Sequence, residues 1–190
     1  MHYLIVPGLN NSGPDHWQSY WAKSLPNATR VVQRNWDHPQ KETWIETLDE
    51  AASKLDSETI FVSHSLGVVT TVHWLLRRAE RGGVPATVKG VFLVSPSDPD
   101  EIEIISSFAP MPLGKLPVPA CVVASENDPF VRIERARFFA ESWGARLFEA
   151  GALGHINAKS NLGEWEQGRA FLAEFEGSLG IRDQGSGISA

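Results

Sequence analysis

Six short apolar runs recur along the chain, and helix-spaced segments separate them. This alternation limits the fold more than any other feature. The runs are YLIVPG from Tyr3, ATRVVQR from Ala28, TIFVSHS from Thr59, VKGVFLVSP from Val88, PACVVASEND from Pro119 and ARLFEAG from Ala145. They are rich in Val and Ile and nearly continuous, as parallel strands covered on both faces are. Between them, Trp44, Ile45, Leu48, Ala52 and Leu55 form one helical stripe. Ile133, Ala136, Ala140 and Trp143 form a second, and Trp165, Leu172, Phe175 and Leu179 a third. The segment after Ser65 is apolar on most sides, which marks a central, buried helix. Strands alternating with helices imply right-handed crossovers and a three-layer α/β sandwich around a mostly parallel six-stranded sheet. With 190 residues the chain builds one sizeable core and is short for two. A single domain is expected over 1–179, with a Gly/Ser-rich tail over 180–190.

The charge balance removes several classes of function. The net charge is −6 and no basic cluster occurs, so a nucleic-acid partner is not expected, since that binding rests on neutralising phosphates. The single cysteine, Cys121, lies in an apolar run and reads as a buried structural thiol. The N-terminus MHYLIVPGLN reads as a strand meeting a turn, not as a signal peptide. No apolar run is long enough to span a bilayer. The expectation is a cytoplasmic protein with no membrane association.

In a parallel α/β sheet the ligand site lies beyond the carboxyl ends of the strands. The third run ends in Ser63-His64-Ser65-Leu66-Gly67. A nucleophile elbow needs a serine on a tight strand-to-helix turn, with small residues two before and two after it. Ser63 and Gly67 fill those places, with Ser63 a mild departure from the usual glycine. The turn lifts the Ser65 hydroxyl above the sheet and sets it at a helix N-terminus, which favours developing negative charge. The Leu66 N–H then becomes an oxyanion donor. A serine there also caps helices, so the pentapeptide alone leaves both readings open.

A nucleophilic serine needs a base, and the base an orienting acid. Of six histidines, His155 is the best placed, in a Gly-flanked loop (GALGHIN) after the last strand. His2 starts the first strand, at the wrong end. His64 points away from its neighbour Ser65, and His73 lies within the central helix. His16 and His38 follow the first two strands; for His16 and Trp17, packing and capping are favoured. For the acid, Asp128 in VVASEND is preferred over Asp98 in VSPSDPD, because Pro129 makes its turn rigid. Glu126 is a weaker alternative. The chain order Ser65, Asp128, His155 is that of α/β-hydrolase triads.

After the first strand, Gly8 permits close backbone approach, and the Leu9 N–H is the expected second oxyanion donor, with Asn10 the alternative. Trp36, Met111, Phe130 and Ile156, together with Asn10, follow strands on the active face and are expected to line a substrate site; for Trp36 and Phe130, ordinary packing is an equally open reading. Only residues 96–118 separate the fourth strand from the fifth. That allows a short helix near Asp100 to Ser107 but no lid domain, and so an open site suited to small acyl groups.

With these motifs in place, the sequence resembles the small α/β-hydrolases related to retinoblastoma-binding protein 9 and the YdeN proteins. The resemblance rests on VPGLNNSGPDHWQSYW, RNWDHPQKETW, SHSLG, SENDPFV and GALGHIN, and covers roughly residues 2–178. It implies a lidless serine hydrolase and assigns the triad to Ser65, Asp128 and His155. It leaves the physiological substrate undefined. The L-x-C-x-E stretch behind retinoblastoma binding is absent here, so that role does not carry over. The expected activity is hydrolysis of a small-molecule ester, or of an amide or thioester, through an acyl-enzyme; no metal or organic cofactor is implied. The rival from another class is a protein-binding module on the same scaffold.

Overall fold

The computed structural model describes residues 1–180. The expected tail therefore lies almost entirely outside the described residues. Six strands form one sheet: β1 (His2–Val6), β2 (Ala28–Arg30), β3 (Thr59–His64), β4 (Val88–Val94), β5 (Ala120–Ala124) and β6 (Arg146–Glu149). All five pairings are parallel, in the order β2-β1-β3-β4-β5-β6. Parallel neighbours need crossovers, and five helices supply or follow them: α1 (Trp17–Ser24), α2 (Lys41–Ala52), α3 (Leu66–Glu80), α4 (Ile133–Trp143) and α5 (Glu166–Ser178).

The pleat sends successive side chains to opposite faces, and so the core has two halves. Leu4, Val6, Phe61, Val91, Leu93 and Val122 face α2, α3 and α4. Tyr3, Ile5, Ile60, Val62, Phe92 and Val123 face α1 and α5. On the second face Trp165 lies against Trp17 and Trp21, with ring centroids 5.0 and 5.9 Å apart.

β2 is shorter than its sequence run. It ends at Arg30, although the Val31 N–H still donates to the Ile5 carbonyl at 2.9 Å. It is an edge strand with a neighbour on one side only, so Val32 turns outward and is 69% exposed. Between β4 and β5 the only regular structure is a 3₁₀ segment, Glu103–Phe108, so no lid domain covers the sheet. Among the described residues no helix is long and apolar enough to cross a membrane.

Candidate active site

The loops after β1, β3, β4, β5 and β6 converge at one end of the sheet. Two glycines make this possible. A Cβ on Gly67 would lie 2.3 Å from the Val6 carbonyl oxygen, and one on Gly8 would lie 2.8 Å from Ser65 Cβ. Only hydrogen at those positions lets the first loop press against the turn after β3. Ser65 occupies that turn with φ 57° and ψ −123°. Such a backbone costs a non-glycine residue roughly 1–3 kcal/mol and persists only when its surroundings hold it. The Ser65 N–H donates to the Val94 carbonyl at 3.0 Å, which fixes the turn to β4.

Ser65 Oγ lies 2.8 Å from His155 Nε2. On the other side of the ring, Nδ1 lies 2.9 Å from both carboxylate oxygens of Asp128. A carboxylate only accepts, so Nδ1 carries the proton and Nε2 accepts from the Ser65 hydroxyl. Ser97 Oγ is 2.8 Å from Ser65 Oγ. Since Ser65 spends its proton on His155, the Ser97 hydroxyl must be the donor. The Ser65 oxygen thus gives one hydrogen bond and receives one, and keeps one lone pair free. Asp128 also accepts from the Phe130 N–H at 2.9 Å, which sets the carboxylate plane.

The two N–H groups expected to receive an oxyanion take no acceptor from the protein among the described residues. The Leu66 N–H begins α3 and has no partner inside the helix. The Leu9 N–H takes no protein acceptor among the described residues, whereas the Asn10 N–H donates to the Trp36 carbonyl at 3.1 Å. Asn10, the alternative second donor, is therefore already committed.

This chemistry sits in a cavity of about 350 Å³. Ile102, Ile104 and Ile105 form an apolar wall, while Asn11, His16 and Asn157 form a polar one. A family model described as serine hydrolase matches residues 3–174. The chain belongs to the serine hydrolase family. A YdeN-like hydrolase from Pectobacterium atrosepticum is 33% identical, with TM-score 0.82, over 94% of this chain and 91% of the other. The ydeN gene product of Bacillus subtilis shares the fold at 23% identity and TM-score 0.77, over 93% and 98% of the two chains. Est1E from Butyrivibrio proteoclasticus, solved with ferulic acid, shares the fold at 15% identity and TM-score 0.66, over 92% and 89%. The comparison with curated proteins found no match.

In this serine hydrolase the competing residues are bound elsewhere or lie exposed, away from Ser65. The Ser63 hydroxyl is buried against Thr71 Oγ1 at 2.8 Å. Asp98 is fully buried and bound by Arg135 at 2.7 Å. Glu126 and His38 are exposed. His2 meets Thr59 and Thr29 at the far end of β1. His73 Nε2 reaches the Phe108 carbonyl at 2.8 Å.

His64 and His16 both line the cavity beside His155. His64 Nε2 donates to the His155 carbonyl at 2.9 Å, and the two rings are 4.9 Å apart. Burial, with His16 and His155 nearby, holds the His64 pKa well below its usual value. His16 caps α1 by accepting the Gln18 N–H on Nδ1 at 3.1 Å. Burial, reinforced by Arg30 and His155, pushes its pKa down to about 3. Both rings are neutral and serve as packing and hydrogen-bonding supports behind His155.

Of the residues expected to line a substrate site, Asn10 and Phe130 line this cavity. Phe130 stands edge-on to the His155 ring at 4.6 Å. Three do not line this cavity. Trp36 packs against Trp44, with centroids 5.8 Å apart. Met111 is buried in the core on the α3 side, because its N–H is drawn to Asp100 Oδ1 at 3.0 Å. Ile156 is fully buried on the opposite face, and its carbonyl accepts the Trp17 indole N–H at 2.8 Å. Its φ of 46° is unusual for a β-branched residue. It works as an anchor that fixes the residue next to His155. Ser97 and the isoleucine wall went unnoticed in the sequence. The segment that carries them has no periodicity, though Ser97 sits just after a strand and directly beside a candidate acid.

Proposed function

We propose that this serine hydrolase cleaves carboxylic esters of small acyl groups through an acyl-enzyme on Ser65. The observation that carries this reading is the unbroken hydrogen-bonded series Asp128–His155–Ser65, with links of 2.8 and 2.9 Å, opening into a cavity. His155 Nε2 takes the Ser65 proton as Oγ attacks the ester carbonyl. The Leu66 and Leu9 N–H groups receive the oxyanion; one such donor is typically worth about a hundred- to thousandfold in rate. Asp128 holds the ring in the required tautomer and stabilises the imidazolium. The proton then passes from Nε2 to the departing alcohol. Water, activated by the same nitrogen, cleaves the acyl-enzyme to carboxylic acid and free Ser65.

An apolar wall with no lid suits a short or medium acyl chain and leaves room for the alcohol outside. The test is turnover of a series of para-nitrophenyl esters of increasing acyl length. The wild type is expected to show a burst of nitrophenol followed by steady hydrolysis, fastest for short chains. Ser65→Ala and His155→Ala are expected to show neither. Unchanged hydrolysis by folded Ser65→Ala would overturn the reading.

A further inference from the structure

A second cavity, of about 570 Å³, adjoins the first on the side of His155. The two share Phe130, His155, Asn157 and Lys159 as walls. Asn127 and Ser160 line only the second. Acyl transfer fixes what this space faces. The group that receives the His155 proton is the leaving alcohol, so the alcohol's remainder extends past His155, away from the isoleucine wall.

The polar side chains here have spent their acceptors and kept their donors. Asn127 Oδ1 accepts the Gly154 N–H at 2.7 Å and the Ser125 hydroxyl at 3.1 Å. Asn157 Oδ1 accepts the Lys159 N–H at 3.0 Å, in a cap that fixes the turn carrying Lys159. These bonds settle the amide orientations, since a backbone N–H can meet only an oxygen. The NH₂ groups of Asn127 and Asn157 take no protein acceptor among the described residues. The Ser160 hydroxyl donates to the Leu153 carbonyl at 2.6 Å and accepts the Asn157 N–H at 3.2 Å, so it offers the cavity no hydrogen. Lys159 makes no ion pair among the described residues. It is the one charged side chain lining the second cavity, and no Asp or Glu lines either cavity of a chain with net charge −6. A cavity lined by two amides with unspent NH₂ groups and by one ammonium suits an acceptor carrying one negative charge.

We propose that the cavity beyond His155 is the leaving-group subsite and that it takes an alcohol bearing a carboxylate, held by Lys159, Asn157 and Asn127. This rests on the ester-hydrolase reading above. A single cation matches a monoanionic carboxylate; a phosphate dianion would leave a charge unmet. The balance is unchanged: the ester and water give the free acid of the acyl group and the carboxylate-bearing alcohol.

The test compares para-butyryloxybenzoate with para-butyryloxybenzamide, which share an acyl group and differ in charge on the leaving group. The readout is the ratio of their kcat/KM values, compared among wild type, Lys159→Ala and Lys159→Glu, so that intrinsic reactivity cancels. The ratio is expected to fall about threefold to fivefold in Lys159→Ala, as loss of an exposed charge pair implies, and further in Lys159→Glu. Raising the salt is expected to lower it in wild type alone, by screening. If wild type hydrolyses both esters and the ratio is the same in all three proteins, the subsite assignment is wrong and the hydrolase reading stands. If wild type hydrolyses neither, both fall.

Discussion

Asp98 and Arg135 form a closed pair: Nε lies 2.7 Å from Oδ2, and the carboxylate is entirely buried. That pairing removes Asp98 from the competition for His155 and leaves Asp128 as the acid that faces its Nδ1. The two aspartates lie on neighbouring loops, yet one braces a helix and the other holds the His155 ring.

Their substitutions should therefore separate. Asp128→Asn is expected to lower kcat by about three to four orders of magnitude with the fold kept, because the amide favours the wrong imidazole tautomer. Asp98→Asn is expected to cost about 1–3 kcal/mol of stability, since the amide keeps one acceptor for Arg135 but loses the other and the charge of the pair, while kcat stays near wild type. Urea denaturation and steady-state kinetics on both variants decide this. Inactive but stable Asp98→Asn would reverse the assignment.

Ser97 donates to Ser65 Oγ; under the proposed mechanism its removal should affect chemistry before binding. Ser97→Ala is expected to lower kcat about tenfold, the worth of one hydrogen bond to a reacting oxygen, with KM nearly unchanged. Ser97→Thr, which keeps the hydroxyl, should recover most of the rate. A rise in KM at constant kcat would show instead that Ser97 only binds substrate.

Gly8→Ala tests the close approach of the first loop. The added methyl would lie 2.8 Å from Ser65 Cβ and 2.9 Å from the His64 carbonyl oxygen. The loop must retreat and take the Leu9 N–H with it. Activity is expected to fall by about a hundredfold or more, the worth of one oxyanion donor, in a protein that still folds. Retained activity would show that Leu9 is not such a donor.

The buried histidines predict an acid-sensitive fold. His16 and His64 titrate well below their usual range in the native state, whereas in the unfolded chain they protonate near pH 6.5. Between those limits the unfolded state binds more protons, so stability rises with pH. It is full above about 6.5 and falls on acidification, by up to about 1.4 kcal/mol per pH unit for each histidine. His16→Asn keeps a capping side chain and removes one titrating ring. Its urea midpoint should fall less between pH 7 and pH 5 than that of wild type. An equal fall would mean that His16 does not contribute.

The sequence made β1, β3, β4 and β5 legible because strands buried on both faces carry unbroken apolar runs. It overextended β2, since edge strands end where pairing ends and not where valines do. The positions of Ser65, Asp128 and His155 were legible because each follows a strand on a sheet whose crossover rule sends those ends to one side. The cavity walls were not. An apolar residue after a strand looks alike whether it lines a site, as Phe130 does, or anchors a loop, as Ile156 does. Trp36 and Met111 turned inward under hydrogen bonds made by their neighbours or their own backbone, which no periodicity encodes. The acceptor state of Asn127 and Asn157 is likewise a property of the folded loops alone.

The central claim is that Ser65 is an activated nucleophile. Intact-mass spectrometry after treatment with a fluorophosphonate tests it most directly, on wild type and on Ser65→Ala. One covalent adduct on wild type, located to Ser65 by peptide mapping and absent from Ser65→Ala, is the predicted result. A folded wild type that takes no adduct, or an adduct that persists in Ser65→Ala, would contradict it.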